Sequence, residues 1–264
     1  MTSFTFPSER QLTSLFERYK ADVSKHGWRV RMRQKFGHHK PELWYQAVVD
    51  SLVTEECRWL DVGGGKDILS RNPELSRELA ERCKYLIAVD PSETVNQNKY
   101  VDDRAQTTIE KYQSDELFDL ATLRMVAEHV LHPALAVESL RRLVKPKGYV
   151  VVFTPNKWSI MSLMASAIPD RFHPLLVRIL SPRRKEEDVF PTHYKMNTKR
   201  QLNELFATGG FEEVGFKYLD DVAGTQRFRI PCFIGLCVWK IFHVLQVVYP
   251  ENNLLGVYRR CDEK

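Results

Sequence analysis

The chain has 264 residues, 43% of them hydrophobic, with 39 Lys and Arg against 34 Asp and Glu for a net charge of +5. That length can bury one large α/β core with the apolar content of an ordinary globular domain, and the near balance of charges disfavours nucleic acid as a partner. Five cysteines, Cys57, Cys83, Cys232, Cys237 and Cys261, are odd in number and lack paired spacing, which excludes a CxxC zinc or redox site and leaves reduced thiols.

In chain order, MTSFTFPSER has neither a charged leader nor an apolar core, so a cytoplasmic protein is expected. Residues 8–53 read as a helical cap. They carry a basic cluster of Lys25, Arg29, Arg31, Arg33, Lys35 and Lys40, interleaved with His26, Trp28, Phe36, His38 and His39. A solvated basic face, an anion or membrane-surface contact and nucleic acid are the three readings of that cluster, in that order.

The segment CRWLDVGGGKDIL, residues 57–69, follows. Leu60 and Val62 end an apolar strand, and Gly63, Gly64 and Gly65 allow a sharp turn with backbone amides open to a ligand; a plain tight turn is the alternative. A dinucleotide loop wants a small residue where Ile68 stands, which weakens that reading. A helix is expected over about Ile68–Arg82, then an apolar strand Tyr85–Val89 that stops at Asp90 and Pro91. A carboxylate at that strand end can accept hydrogen bonds from both ribose hydroxyls of an adenosine ligand; a turn aspartate before proline is the competing reading.

Phe118–Leu123 reads as a strand, Pro133–Val144 as an amphipathic helix and Tyr149–Phe153 as a buried parallel strand, with Lys145-Pro146-Lys147-Gly148 as the turn between the last two. The excursion 157–197 suggests a lid, or core packing at helical spacing. A sixth strand near Val214–Leu219 and a last strand near Leu254–Arg259 flank an apolar insertion, 220–252. Within it, the run Ile230–Tyr249 is interrupted at three-residue steps by Lys240, His243 and Gln246, which argues against a bilayer-spanning helix. Burial against the catalytic domain or in a homodimer contact competes with peripheral membrane attachment, so cytoplasmic residence with membrane association stays open.

On these residues the chain resembles the class I S-adenosylmethionine-dependent methyltransferases of the small-molecule group that includes the ubiquinone-biosynthesis O-methyltransferases. Asp61, Gly63 and Gly65 stand at the positions of its first motif, with Asp67 where a third glycine is common, and the stretch Phe118–Asn156 carries its fourth and fifth strands. The resemblance implies a Rossmann-like α/β fold, a seven-stranded mostly parallel sheet with helices on both faces, in one domain over 1–264. It also implies S-adenosyl-L-methionine as cofactor, S-adenosyl-L-homocysteine as product, and an SN2 methyl transfer to a small, lipophilic acceptor, with oxygen favoured over nitrogen or sulfur. By family position Asp61, Gly63, Gly64, Gly65, Asp90, Ile109 and Leu123 would bind the cofactor, and Lys66 or Arg124 would meet its methionine carboxylate. Thr108 stands where an aspartate often reads adenine. His129 and His193 are the general-base candidates, each with a structural role as the alternative, and Asn156 and Tyr194 would line the substrate pocket unless Asn156 caps its turn. Glu128, His129 and His193 could be three members of a divalent-ion set found in some relatives, but Met125 replaces the first glutamate, so no metal is expected. A catalytically inactive binding protein of the same fold, and a dinucleotide-dependent oxidoreductase, are the remaining alternatives.

Overall fold

The computed structural model describes residues 4–69, 71–159, 191–222, 228–247 and 249–262. The expected lid helices fall on 160–190, outside the described residues.

Three helices come first: α1 (Glu9–Lys20), capped by a reciprocal Ser8–Gln11 box, α2 (Trp28–Phe36) and α3 (Pro41–Leu52). The described core then runs β1 (Arg58–Val62), α4 (Pro73–Arg82), β2 (Tyr85–Val89), β3 (Asp103–Ala105), β4 (Phe118–Arg124), α5 (Pro133–Leu143), β5 (Val144–Pro155), α6 (Lys199–Thr208), β6 (Phe211–Leu219), α7 (Arg229–Val244) and β7 (Asn253–Arg260). The strands form one sheet of order β3-β2-β1-β4-β5-β7-β6. Only β7 runs antiparallel to its neighbours, β5 and β6. This is the Rossmann-like seven-stranded architecture expected. The strand order reverses between β1 and β4, which opens a crevice at their carboxyl ends.

Strand residues alternate between two apolar layers. Trp59, Leu86, Ala88, Leu120, Val151 and Phe153 pack beneath the amino-terminal helices and α4. Leu60, Val62, Val89, Leu123, Val152 and Tyr258 pack with α5 and α6 on the other face. Asp61, one position after Leu60, therefore points with Trp59 into the layer under α3.

Three expectations are corrected. The helix expected from Ile68 begins at Pro73: proline disfavours helical geometry in the residue before it, and Asn72 caps Leu75 instead, while Ile68 and Leu69 bury in the preceding turn. The Lys145–Gly148 turn is a bulge inside β5, between the pairs Phe118–Val144 and Leu120–Tyr149, tied down by Lys145 Nζ on both oxygens of Asp119 at 2.9 Å. The basic face of α2 is not wholly solvated either, because Arg33 is buried and donates to the Asp221 carbonyl at 2.6 Å.

Phe153 is fully buried and stacks on Tyr45 of α3 with ring centroids 5.4 Å apart, joining sheet to cap. Phe153→Ala should lower unfolding free energy by about 3–5 kcal/mol, read from chemical denaturation midpoints.

Candidate functional site

Asp61 sits opposite Thr122 in the parallel β1–β4 register, so their side chains share a face. Trp59 Nε1 donates to Thr122 Oγ1 at 2.8 Å, and that hydroxyl donates to Asp61 Oδ1 at 2.7 Å. Asp61 Oδ2 is buried with no hydrogen-bond partner among the described residues. Burial pushes the Asp61 carboxyl from 3.8 up to about 7, against the opposing pull of the Thr122 bond and the Arg124 charge. The Tyr45 hydroxyl lies buried nearby without a well-formed hydrogen bond. Glu42, one turn earlier on α3, places Oε1 3.9 Å from Arg124 Nη1 at the end of β4.

The glycine turn is shaped by this acid and by the chain around it. A Cβ on Gly64 would lie 2.8 Å from Asp61 Oδ2 and 2.9 Å from the Ala88 Cβ, and one on Gly63, which has φ 72°, would lie 2.1 Å from Val126 Cγ2. The expectation that these amides stand open to a ligand is only partly met. Gly63 N–H donates to the Val89 carbonyl at 2.8 Å, and Gly65 N–H donates to Asp90 Oδ2 at 3.1 Å. The turn is thus closed on itself by strand β2 and the acid at its end.

Asp90 accepts through Oδ1 from Ser92 N–H at 2.8 Å, and burial raises its pKa against those two amide bonds. Leu123 and Ile109 are both buried apolar side chains in the layer below, so only their backbone can face a ligand. Thr108 uses its carbonyl to close the following turn, accepting from Lys111 and Tyr112 amides. Lys66 is exposed, whereas Arg124 is half-buried beside Glu42.

A second corner forms where β4 leaves the sheet. Met125 takes φ 56°, an unusual left-handed geometry for its type, and its amide donates to the Phe153 carbonyl at 2.7 Å. The chain then turns through Ala127–His129. Glu128 Oε2 accepts from Thr154 Oγ1 at 2.9 Å, which in turn accepts from Asn197 Nδ2 at 2.7 Å. The Glu128 carbonyl accepts from the His193 amide at 2.7 Å and the Tyr194 amide at 3.3 Å, which brings the segment of His193 and Tyr194 to the segment of His129. His129 Nδ1 lies 3.0 Å from the Pro191 carbonyl. A carbonyl only accepts, so Nδ1 carries a proton, and Nε2 lies 3.9 Å from Glu128 Oε1. No three His, Cys, Asp or Glu side chains gather as a cation site among the described residues.

Asn156 follows β5 at this corner. Its Nδ2 donates to the Glu251 carbonyl at 2.9 Å and its Oδ1 accepts from Trp158 N–H at 3.1 Å, the turn-capping bond. Tyr45, Glu42, Thr122, Thr154 and Asn197 carry no motif in the sequence. The period-two alternation that points Asp61 and Thr122 to one face was the available signal for one of them.

Between the cap and the turn before α4 lies a cavity of about 290 Å³, lined in part by Lys20, Arg33, His39, Lys40, Glu42 and Arg71. Burial, together with the Arg33 and Arg71 charges, depresses the Lys40 pKa, and burial keeps His39 low as well. Through Glu42 the cavity adjoins Arg124 and the β1–β4 crevice.

The sequence matches the methyltransferase domain family over residues 36–214. Among solved structures, an S-adenosylmethionine-dependent methyltransferase from Mesorhizobium loti is 18% identical, with 83% of this chain and 98% of that chain covered and a TM-score of 0.52. A SAM-dependent methyltransferase from Methanosarcina mazei is 14% identical over 82% of this chain and 98% of that chain, with a TM-score of 0.50. A chain of the complex containing the Haloferax volcanii Trm112 methyltransferase activator is 12% identical over 96% and 99%, with a TM-score of 0.53. At such identities the likeness concerns the fold. No curated protein matches the sequence.

Because the Asp61 pKa is raised on folding, its contribution to stability is fully present below pH 3.8 and is lost as pH rises toward 7. Asp61→Asn keeps an acceptor for Thr122 and removes the titration. Its stability relative to the parent should climb between pH 4 and 7.5, by up to about 4 kcal/mol, as read from denaturant midpoints at three pH values.

Proposed function

The chain belongs to the methyltransferase domain family, and from that premise we propose that it binds S-adenosyl-L-methionine in the β1–β4 crevice and transfers a methyl group to a small acceptor. The observation that carries this reading is Asp61: a buried carboxylate with an unpartnered oxygen, placed under a glycine turn and next to the acid that ends β2. A bare acid of that kind favours a ligand that brings a cation or a hydrogen-bond donor to it.

When bound, the cofactor supplies a methyl group already made electrophilic by its sulfonium, so the residues of the chain align, exclude water and move one proton. Asp90 would hold the ribose hydroxyls at the end of β2. Gly63, Gly64 and Gly65 keep the backbone at that edge without side chains. Ile109 and Leu123 would offer backbone to adenine and to the methionine end, and Arg124 would supply a positive charge for the carboxylate. His129 is oriented through Nδ1 by the Pro191 carbonyl, and its Nε2 is the atom that would take the proton of an acceptor hydroxyl. His193, whose backbone is pinned to Glu128, is the second candidate for that step, with Tyr194 beside it at the acceptor.

The cap cavity is near the lower limit of small-molecule sites in volume and adjoins the crevice through Glu42, which supports an acceptor of modest size. We read 1–264 as one catalytic unit and oxygen as the favoured acceptor atom. The second reading, a non-catalytic member of the fold, draws on Val126 covering Gly63 and on the closed Gly63 and Gly65 amides.

Titration calorimetry with S-adenosyl-L-homocysteine should show binding that Asp90→Ala weakens about 100-fold, since hydrogen bonds to a charged acceptor contribute about 1.5–3 kcal/mol each. Absence of binding to the parent protein sinks the proposal. With labelled cofactor and a metabolite extract, His129→Ala should cut the methylation rate about 100-fold or more while leaving homocysteine-product affinity intact; binding without any labelled product points to the non-catalytic reading.

A further inference from the structure

The insertion between β6 and β7 builds α7, which has one face on the protein and the other on solvent. Cys232 and Leu236 are buried against Trp28, Met32 and Phe36 of α2, with Trp239 packed alongside them. Trp239 stacks on His243, and its edge meets His38. At about 100° per residue these positions define one narrow side of the helix.

The opposite side is apolar and open. Ile230 is 74% exposed, Ile234 56%, Ile241 54% and Val244 65%, and Val238 and Leu245 join them, with Phe233 at the border of the face, its ring edge-on to Phe36 of α2 at 5.8 Å. Helical spacing places these seven in a stripe about 140° wide, centred away from the protein. Contiguous apolar surface of this kind on a folded chain marks an interaction site. No helix among the described residues is long and apolar enough to cross a membrane.

Charge distinguishes the possible occupants. No Asp or Glu occurs from 222 to 250. Arg229 and Lys240 border one edge of the stripe by the same spacing, and on α2 the exposed Arg29 lies on one side of the helix contact while Arg31 and Lys35 lie on the other. The nearest acid on the adjoining loop, Asp221, is engaged by Arg33. A second copy docked symmetrically through this face would set cationic rim against cationic rim. A bilayer with acidic headgroups satisfies both parts, taking the side chains of the stripe into its interface and the cations at its surface.

We propose that α7, flanked by the cations of α2, is a monotopic docking surface for anionic lipid membranes. The helix lies in the interface plane with its Ile230–Leu245 stripe inserted. This surface stands independently of the methyl-transfer reading.

The full-length chain should co-sediment with phosphatidylcholine vesicles containing about one-third phosphatidylglycerol, more weakly with neutral vesicles, and less as salt rises. Ile234→Glu with Ile241→Glu should lower the apparent affinity at least about tenfold, given the loss of two inserted aliphatic side chains. Should that variant fail to fold by circular dichroism, Arg31→Glu with Lys35→Glu on the exposed side of α2 decides, and must weaken binding to the anionic vesicles alone. Failure of the parent protein to bind either vesicle, or binding unaltered in a folded variant, overturns the proposal. So does a parent dimer in light scattering that the stripe substitutions convert to monomer, which would assign the face to a second copy.

Discussion

A carboxylate held in an apolar layer with one oxygen unpartnered is costly, and the architecture of the β1–β4 edge is arranged around keeping Asp61 in that condition. The indole of Trp59 orients Thr122, and Thr122 satisfies one oxygen of the acid. The second oxygen leaves no room for a side chain on Gly64, and α3 closes the space above with Tyr45. Such an acid is sustained in a stable fold only when the surrounding packing over-determines its position. Here that packing includes the Tyr45–Phe153 stack, which binds the cap to the sheet directly over the acid.

The two corners of the crevice are held by different means. On the β1–β2 side, main-chain hydrogen bonds dominate: the glycine turn is tied to Val89 and to Asp90, so a ligand's hydroxyls would replace bonds that the loop makes with itself. On the β4–β5 side, a chain of side-chain bonds from Asn197 through Thr154 to Glu128 fixes the loop on which His129 stands, and the left-handed Met125 directs that loop away from the sheet. The first corner is fit for recognition by exchange of partners. The second is fit for holding one imidazole in a single orientation.

The amino-terminal helices serve both the crevice and the outer surface. α3 presents Tyr45 and Glu42 toward the strand ends, while α2 carries α7 on its apolar side and a pair of unburied cations beside it. Burial of Arg33 against Asp221 links these two functions, since it anchors α2 to the segment that leads from β6 into α7. The basic cluster legible near residues 25–40 is therefore divided by the fold into a structural arginine, a cavity lining and an exposed rim.

By itself the sequence determined strands of the sheet and its carboxyl edge. The apolar runs ending at Val62 and before Asp90, three glycines after a strand, and the amphipathic stretch before β5 are local patterns that identify those strands and the loop class, while the seven-stranded arrangement came from the family resemblance and the short β3 carried no signal. The sequence could not determine where α4 begins, because Pro73 competes with an apolar periodicity that Ile68 and Leu69 satisfy equally well as buried turn residues. Only the tertiary structure decided that Thr122 and Trp59 hold Asp61, that Asn156 spends both ends of its amide on Glu251 and Trp158, and that α7 leaves its apolar stripe in solvent. Apart from the local Asn156–Trp158 turn, those outcomes depend on contacts between residues tens to more than a hundred positions apart, which a spacing along the chain does not encode and which only the packed sheet and cap bring within reach.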